Sequence, residues 1–333
     1  MTWRVLGPAV AAAALLGWAV LAPSAALGAG WLIAMLFWLG IALGALALLA
    51  VGTLTGGRWL AAMRPGLAPA AATVPAFLLV GLPLLPAMRG LYPWVTQPEA
   101  AAPGVAALYL NPAGWLLRSA LALAGWSVLA LLLRRDGAPR LVAALGLCFH
   151  AVAVSMVGMD WVVSATPRFV STAFGTALAV TQMFAALAWV AVLRVVPAAR
   201  AADLGALLLA ATLGTLYLGF AQYLVIWYGN LPAQVPWYVA RQASWWGWLD
   251  GAAVALSALL PFGVLLRQRW RADPGALQRV GGAVLVGLLL HLAWLVAPGH
   301  GLAALLAAGL AVVAIGGGWL ALADRRLGDA HGR

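Results

Sequence analysis

The sequence predicts an all-α integral membrane protein, and two observations support that prediction. Of the 333 residues, 65% are hydrophobic and 8% are charged. Apolar runs of more than about 18 residues recur along the whole chain, which is the length that a membrane-spanning helix needs. A soluble domain of this length has too little interior to bury so much apolar surface.

Five helices are predicted in the first half of the chain, each bounded by Gly, Pro or Arg residues. They cover residues 5–27, 31–55, 68–87, 112–133 and 139–163. The first run is followed by small residues that resemble a signal-peptide cleavage site, Ser24 to Ala29. Its apolar stretch is too long for an ordinary signal peptide, so a retained helix is favoured.

Five more helices are predicted in the second half of the chain, again bounded by Gly, Pro or Arg residues. They cover residues 168–197, 204–228, 241–266, 277–298 and 301–323. Neither half contains a segment typical of a soluble domain or a low-complexity linker. The chain is therefore expected to be a single membrane domain of about ten helices, residues 1–333.

The arginines of the loops predict which side of the membrane each loop faces. All 19 basic residues are Arg, and three of them, Arg89, Arg168 and Arg241, fall on one side, in a loop or at the first residue of a helix. Arg118 lies within a helix, and the other fifteen fall on the opposite side. The positive-inside rule makes that arginine-rich side cytoplasmic, with both termini there. The formal charge of +11 thus reflects topology, and nucleic-acid binding is not indicated.

Several kinds of cofactor site lack their usual motifs. The single cysteine, Cys148, excludes a disulfide framework and a Cys-ligated iron–sulfur cluster within this chain. There is no Cys-x-x-Cys-His motif for covalent haem, and no Gly-rich phosphate loop follows a strand. We therefore predict no metal site and no cofactor held by this chain alone.

Ionisable residues inside the apolar segments are the candidates for chemistry, because a buried charge in a membrane is costly unless it is paired. Most of them gather in the outer half of the membrane. Asp250 lies about 13 Å from the outer start of its helix. The full set of candidates for a proton path or quinone pocket is Arg118, His150, Asp160, Gln222, Tyr223, Asp250 and His291.

Each candidate also has a simpler interpretation. Arg118 neutralises Asp160 on the neighbouring helix or reaches outward to water, and Asp160 alternatively caps a helix end. His150 is expected to be a hydrogen-bonded core histidine, and haem ligation by His150 and His291 is disfavoured because the two differ in depth. Asp250 is the hardest to explain structurally, since a carboxylate so far inside a helix needs a partner or a proton.

Two outer loops are long enough to be structured, residues 88–111 and 229–240. Both contain Pro, Asn and aromatic residues of the kind that settle at a membrane interface. Interfacial anchoring is a sufficient explanation for most of the 18 tryptophans. We predict an outer-loop interface formed by Asn230, Trp237, Tyr238, Arg241 and Arg168.

Seven segments between about residues 31 and 298 resemble one family of membrane proteins. They begin at Leu91-Tyr92-Pro93-Trp94, Tyr109-Leu110-Asn111-Pro112, Asp160-Trp161, Gln222-Tyr223, Trp237-Tyr238, Leu260-Pro261-Phe262 and Trp294-Leu295, and the fourth continues to Gly229-Asn230-Leu231-Pro232. Together they are similar to the ActF-type membrane subunit of alternative complex III, within the NrfD/PsrC-like family. The resemblance implies two adjacent four-helix bundles with flanking helices, in a bacterial inner membrane.

The resemblance also implies partners and a role. Such a subunit belongs to a respiratory complex that oxidises quinol, beside a sister NrfD-like membrane subunit and periplasmic iron–sulfur and cytochrome subunits. Iron–sulfur clusters and haem are then held by the partners, while quinone or quinol is a candidate ligand of this chain. The ActF-type subunit is more plausibly a proton-conducting or scaffolding partner, because the sister subunit is the better-supported quinol site.

This chain departs from the family pattern at protonatable positions. Ser164-Ala165-Thr166-Pro167-Arg168-Phe169 stands where Ser-Leu-Asp-Pro-His-Trp is usual, and Val51-Gly52 replaces a histidine pair. His291 stands near the position of an expected Asp. Three hypotheses follow: a subunit with an outer half-channel or degenerate quinone pocket, a purely structural and assembly subunit, and a stand-alone secondary transporter.

Overall fold

The computed structural model describes residues 3–97, 99, 103–134, 137–166, 171–230, 232 and 234–331. Over these ranges the chain forms helices and no strands. Nine helical segments of the described residues are long and apolar enough to cross a membrane. The predicted fold class, an all-α integral membrane protein, is confirmed.

Ten principal helices are numbered here in chain order. They are α1 Trp3–Leu21, α2 Ala25–Thr55, α3 Arg58–Ala71, α4 Pro112–Leu133, α5 Arg140–Val157, α6 Phe174–Leu193, α7 Ala201–Tyr228, α8 Trp246–Val254, α9 Pro274–Val296 and α10 Gly301–His331. Three of them extend further: α3 through Val74–Ala76 and Phe77–Val80, α5 through Gly158–Val162 and Val163–Ala165, and α8 through Ala255–Leu259 and Leu260–Leu265. Four short helices, Leu84–Leu91, Pro93–Thr96, Pro103–Leu108 and Val235–Gln242, lie in the two long loops of the arginine-poor side.

Helix α2 forms the centre of the molecule. It is apolar all round, and its most hydrophobic window is fully buried, which is the pattern of a helix surrounded by other helices. Gly44 allows α6 to approach closely, because a Cβ at that position would collide with the backbone carbonyl of Gln182. Small residues at such crossings let membrane helices pack backbone to backbone.

Several helix ends carry the expected local signals. Asn111 caps α4 by accepting a hydrogen bond from the Gly114 amide at 2.7 Å, with Pro112 at the first helical position. Asp273 does the same for α9 through the Ala276 amide at 2.6 Å. These caps satisfy amides that a helix start leaves without partners.

The helices pack as two groups of four with two flanking helices. The first group is α2, α3, α4 and α5, and the second is α6, α7, α8 and α9. Contacts of α2 with α6 join the groups, while α1 packs on α10 and α10 packs on α2. This packing agrees with the two four-helix bundles that the family resemblance implies.

The predicted start of the third helix is wrong. Helix α3 begins at Arg58, ten residues before the expected start at 68, and Pro65 and Pro69 lie inside it. Neighbouring helices allow a membrane helix to tolerate proline. Arg64 lies within this helix, and its Nη2 donates to the carbonyl of Arg134 at 3.0 Å, where the C-terminal end of α4 favours a cation.

Three other predicted helices are longer than those observed. Helix α6 starts at Phe174 rather than 168, and α8 starts at Trp246 rather than 241, after the separate short helix Val235–Gln242. Helix α1 ends at Leu21, six residues before the expected end at 27. Over the described residues, nine helical segments are long and apolar enough to cross a membrane, where the sequence predicted about ten.

Candidate functional site

The structure separates the predicted site residues into two regions on the arginine-poor side. The first, the ion-pair network, joins Arg118 of α4 to Asp160 after α5. The second, the cavity, lies among α6, α7, α8, α9 and the short helix Val235–Gln242. The two regions belong to different groups of four helices.

The ion-pair network contains a bidentate salt bridge. Arg118 Nε lies 2.7 Å from Asp160 Oδ2, and Arg118 Nη2 lies 3.0 Å from Oδ1. The Asp160 side chain is fully buried and that of Arg118 is 15% exposed. This confirms the prediction that Arg118 neutralises Asp160, and a bidentate fork is the strongest form of such a pair. The Asp160 carboxylate therefore forms an ion pair with Arg118 rather than capping a helix end.

Tyr109 completes the surroundings of Arg118. Its carbonyl accepts a hydrogen bond from Arg118 Nη2 at 2.9 Å. Its ring lies against the guanidinium, with 3.8 Å between Arg118 Cζ and the ring centroid. Burial first, and then the Asp160 carboxylate, raise the pKa of Tyr109, so its hydroxyl stays protonated. The guanidinium is thus held on two sides.

The backbone around Asp160 is equally well satisfied. Residues Gly158–Val162 form a π-helical turn, a feature that frees carbonyls for side-chain donors and is frequent at functional sites. The Asp160 carbonyl accepts from Trp115 Nε1 at 3.1 Å and from Ser164 Oγ at 2.7 Å. Tyr92, fully buried, donates its hydroxyl to the Trp161 carbonyl at 3.3 Å. This region is a closed, mutually bonded network.

The cavity has a volume of about 410 Å³, within the range typical of small-molecule sites. Six of the predicted candidates line it: Gln222, Tyr223, Trp237, Tyr238, Asp250 and His291. Apolar side chains such as Phe174, Leu178 and Leu288 form much of the remaining wall. The sequence placed these residues in one leaflet, and the structure places them around one space.

Asp250 and His291 form a pair at the cavity. His291 Nδ1 lies 3.6 Å from Asp250 Oδ1, and the side chains are 40% and 27% exposed. The distance is that of an ion pair rather than of a direct hydrogen bond. Asp250 was predicted to need a partner, and His291 on α9 is that partner. Unlike Asp160, this carboxylate remains accessible.

Aromatic side chains wall the cavity. The Trp237 and Trp294 rings meet edge to face at 5.1 Å between centroids, and His291 stacks on Trp294 at 5.7 Å. Tyr238 packs against Tyr223 at 5.7 Å. Burial, then the Asp250 carboxylate, raise the pKa of Tyr238 to about 12, so its hydroxyl remains a hydrogen-bond donor. These rings give the cavity flat, rigid faces.

The three tryptophans at the start of α8, Trp245, Trp246 and Trp248, do not line the cavity. Trp248 is 81% exposed and Trp245 is 42% exposed, as expected for anchors at a membrane interface. Trp246 is buried but lies outside the cavity lining. The walls come instead from the short helix Val235–Gln242 and from α9, which sequence reasoning did not bring together.

Helix α8 is deformed beside the cavity. Residues Ala255–Leu259 form a second π-helical turn immediately before Pro261. Pro261 has no amide hydrogen and its ring collides with the carbonyl four residues earlier, so the helix widens there. Ser257 donates its hydroxyl to the Ala253 carbonyl at 2.7 Å within this turn. The proline was visible in the sequence, but its effect on the cavity wall was not.

Hydroxyl side chains extend the cavity lining toward the middle of the membrane. Thr181 of α6, Thr215 of α7 and Ser257 of α8 line its deeper part. At its outer end, Gln222 accepts a hydrogen bond from Ser171 Oγ at 2.6 Å and donates to the Leu218 carbonyl at 3.2 Å. The lining is therefore apolar and aromatic, with polar groups at both ends.

His150 belongs to neither region. It is buried, its ring lies 6.0 Å from Trp126, and it does not line the cavity. Within the described ranges neither ring nitrogen has a hydrogen-bond partner. The expectation of a hydrogen-bonded core histidine is therefore wrong, because apolar side chains of neighbouring helices surround the ring.

The predicted outer-loop interface is only partly described. Asn230 adopts a left-handed backbone conformation with φ of 42° at the end of α7, which Asn tolerates better than most residues. Arg241 lies over the Trp237 ring, 3.7 Å from Cζ to the centroid. Arg168 lies outside the described residues. Trp237 and Tyr238 join the cavity instead of an outward surface.

The fold and the two polar regions define a polytopic α-helical membrane protein with a polar, aromatic-walled cavity in its second group of helices. Comparison with protein-family models gives no match for this chain. A search of curated proteins gives no relative either.

Proposed function

We propose that this protein is an integral membrane subunit of a quinol-oxidising respiratory complex of the alternative complex III type, and that its cavity binds the quinone headgroup. One observation carries the proposal: the Asp250–His291 pair opens into an aromatic-walled cavity of about 410 Å³. A quinone headgroup is a flat ring with polar oxygens at opposite ends. Flat aromatic faces with polar groups at both ends of the space suit that shape.

The chemistry assigns a role to each polar group. Oxidation of a quinol releases two protons and two electrons and leaves the quinone. The His291–Asp250 pair takes a proton from one hydroxyl, with the carboxylate stabilising the imidazolium that forms, and the proton of the other hydroxyl passes to water on the arginine-poor side. The electrons pass to an iron–sulfur or haem centre of a partner subunit. Tyr223 and Tyr238 line the cavity, and in this proposal their hydroxyls donate hydrogen bonds to the quinol oxygens.

The position of the pair supports release of protons on the arginine-poor side, the predicted periplasmic side of a bacterial inner membrane. A pocket is favoured over a complete proton channel. The polar lining reaches inward to Thr181, Thr215 and Ser257, while His150 stands apart from it. A sister membrane subunit and periplasmic iron–sulfur and cytochrome subunits are the partners that this role requires.

The ion-pair network supports a second, structural role for the other half of the molecule. Its polar groups bond to one another and join α4, α5 and the loop 88–111. The groups that make these hydrogen bonds are thereby unavailable to a substrate. We propose that it fixes the outer surface on which partner subunits assemble.

The proposal is tested with Asp250→Asn in the intact complex. We expect quinol turnover and proton release to fall by about 10²-fold, the usual contribution of one positioned acid or base. Asp203→Asn is the matched control, because Asp203 is a partly exposed acidic residue of the first turn of α7 that pairs with Arg200 at 3.3 Å and does not line the cavity. Unchanged turnover and proton release for Asp250→Asn exclude a role of the cavity in quinol oxidation.

A further inference from the structure

Arg241 is a buried cation with no paired acidic side chain among the described residues. The residue is 7% exposed. Within the described part of the chain it makes one hydrogen bond, from Nη1 to the Trp237 carbonyl at 3.3 Å, and its buried Nε has no partner. A guanidinium carries five N–H donors. A buried donor without an acceptor is unfavourable, and an anion beside the guanidinium would supply an acceptor and balance the charge.

Arg118 is a comparison arginine in this protein, because its guanidinium has both a counter-charge and hydrogen-bond acceptors. It is on the same side of the membrane and is more exposed than Arg241, yet it has a bidentate carboxylate and a carbonyl acceptor. No acidic side chain pairs with Arg241 among the described residues. Burial lowers the pKa of Arg241 to about 10, which still leaves it charged near neutral pH.

The surroundings hold the guanidinium in place. Its Cζ lies 3.7 Å from the Trp237 ring centroid and 5.9 Å from that of Trp294. Stacking on aromatic faces fixes the plane of an arginine and leaves its N–H edge for a ligand. A planar fork of this kind matches the oxygens of a phosphate.

Exposed aromatic residues place Arg241 at the depth of the lipid headgroups. Tyr228 is 84% exposed, Trp227 66% and Trp248 81%, and such residues form belts at the membrane interface. The short helix Val235–Gln242 lies in the chain between Tyr228 and Trp248. The anion always present at this depth is the phosphate of a phospholipid.

We propose that Arg241 binds the phosphodiester of a membrane phospholipid in the leaflet of the arginine-poor side. The bound headgroup adds acceptors for the guanidinium and steadies Trp237, the residue of the cavity lining on which Arg241 stacks. This site is separate from the cavity and stands whether or not the cavity binds quinone.

The test compares lipids that differ only in the phosphate. The purified protein is titrated in detergent with phosphatidylglycerol, with diacylglycerol of the same chains, and with inorganic phosphate, and Tm and retained lipid are measured. We expect phosphatidylglycerol alone to raise Tm and to be retained. Arg241→Gln is expected to lower its apparent affinity by about tenfold, as loss of a charged contact implies. Arg241→Lys keeps the positive charge but loses the planar guanidinium. Its apparent affinity for phosphatidylglycerol should lie between those of the unaltered protein and Arg241→Gln.

Arg89→Gln is the matched control, because Arg89 is an exposed arginine of the same side, and it should bind phosphatidylglycerol like the unaltered protein. An equal response to diacylglycerol overturns the proposal, since the phosphate is then irrelevant. An equal response to inorganic phosphate shows a free-anion site instead of a lipid site. If Arg241→Gln binds phosphatidylglycerol normally but loses a partner subunit, the anion is a carboxylate of that partner, and the lipid proposal fails.

Discussion

The ion-pair network and the cavity use similar residues in opposite ways. Each has a carboxylate, a partner side chain with ring or guanidinium nitrogens, and several aromatic rings on the arginine-poor side. In the network the carboxylate of Asp160 is fully buried and held at 2.7 Å by Arg118. In the cavity the carboxylate of Asp250 is 27% exposed and lies 3.6 Å from His291.

The difference teaches which polar residues in a membrane protein are available for chemistry. A permanently charged arginine with a bidentate partner cannot exchange a proton, and its neighbours use their remaining donors and acceptors among themselves. A histidine can take and release protons, and a loose pair leaves room for a third group. The first arrangement holds a structure together, while the second is ready for a ligand.

The largest expected effect comes from breaking the network on one side. Arg118→Gln leaves Asp160 buried without its counter-charge, which typically costs about 3–5 kcal/mol. We expect a loss of that size in the free energy of unfolding, measured by titration with a denaturing detergent. The double variant Arg118→Gln with Asp160→Asn removes both charges and should recover most of the loss. If the double variant is as unstable as the single one, the pair is not the source of the stability.

The next effect tests how the cavity wall is built. A Cβ on Gly287 of α9 would approach the Ser257 amide nitrogen to 2.7 Å and the Ala253 carbonyl to 2.9 Å. Gly287→Ala must therefore push α8 away, and overpacking of this kind typically costs about 1–3 kcal/mol. We expect a lower free energy of unfolding and a weaker affinity for a quinone analogue.

Gly282→Ala is the control for that prediction, because it lies in the same helix and a Cβ there meets no atom within 4 Å. It should leave both stability and affinity unchanged. Equal effects of the two variants contradict close packing of α8 on α9 as the cause.

A smaller effect is expected from one hydrogen bond of the network. Tyr92→Phe removes the hydroxyl that donates to the Trp161 carbonyl at 3.3 Å in a fully buried position. The expected loss in the free energy of unfolding is about 1 kcal/mol. Tyr228→Phe is the control, because Tyr228 is 84% exposed and its hydroxyl is available to water. If Tyr92→Phe lowers the free energy of unfolding no more than Tyr228→Phe does, the hydrogen bond of Tyr92 does not contribute to the stability of the network.

The sequence predicted the helices well because apolar runs and their breaks reflect the thickness of the membrane. It also predicted the Arg118–Asp160 pair, since two buried charges at similar depth on neighbouring helices have few other partners. It placed the start of α3 wrongly because prolines were treated as ends, whereas packing on other helices accommodates Pro65 and Pro69. The hydrogen bond of Arg64 to the end of α4 has no signal in a single sequence.

The cavity was only half predictable. The predicted membrane depth placed Asp250, His291, Gln222 and Tyr223 in one leaflet. Depth alone does not predict which faces of the four helices meet to enclose the cavity. The widening of α8 before Pro261 and the position of Trp237 depend on tertiary packing. His150 shows the reverse error: it lies at a suitable depth, yet packing turns it away from the cavity.

The smallest expected effect on stability belongs to the pair with the proposed function. Asp250 and His291 are 3.6 Å apart and partly exposed, and such pairs contribute roughly 0–1 kcal/mol. Asp250→Asn and His291→Gln should each change the free energy of unfolding by less than that amount, while quinol turnover of the complex falls by about 10²-fold. A loss of stability comparable to that of Arg118→Gln would make this pair a second structural element. If the variants keep their stability and lose quinol turnover, the cavity differs from the ion-pair network. The reaction then requires Asp250 and His291 although folding does not, which is expected of residues that remain accessible to a ligand.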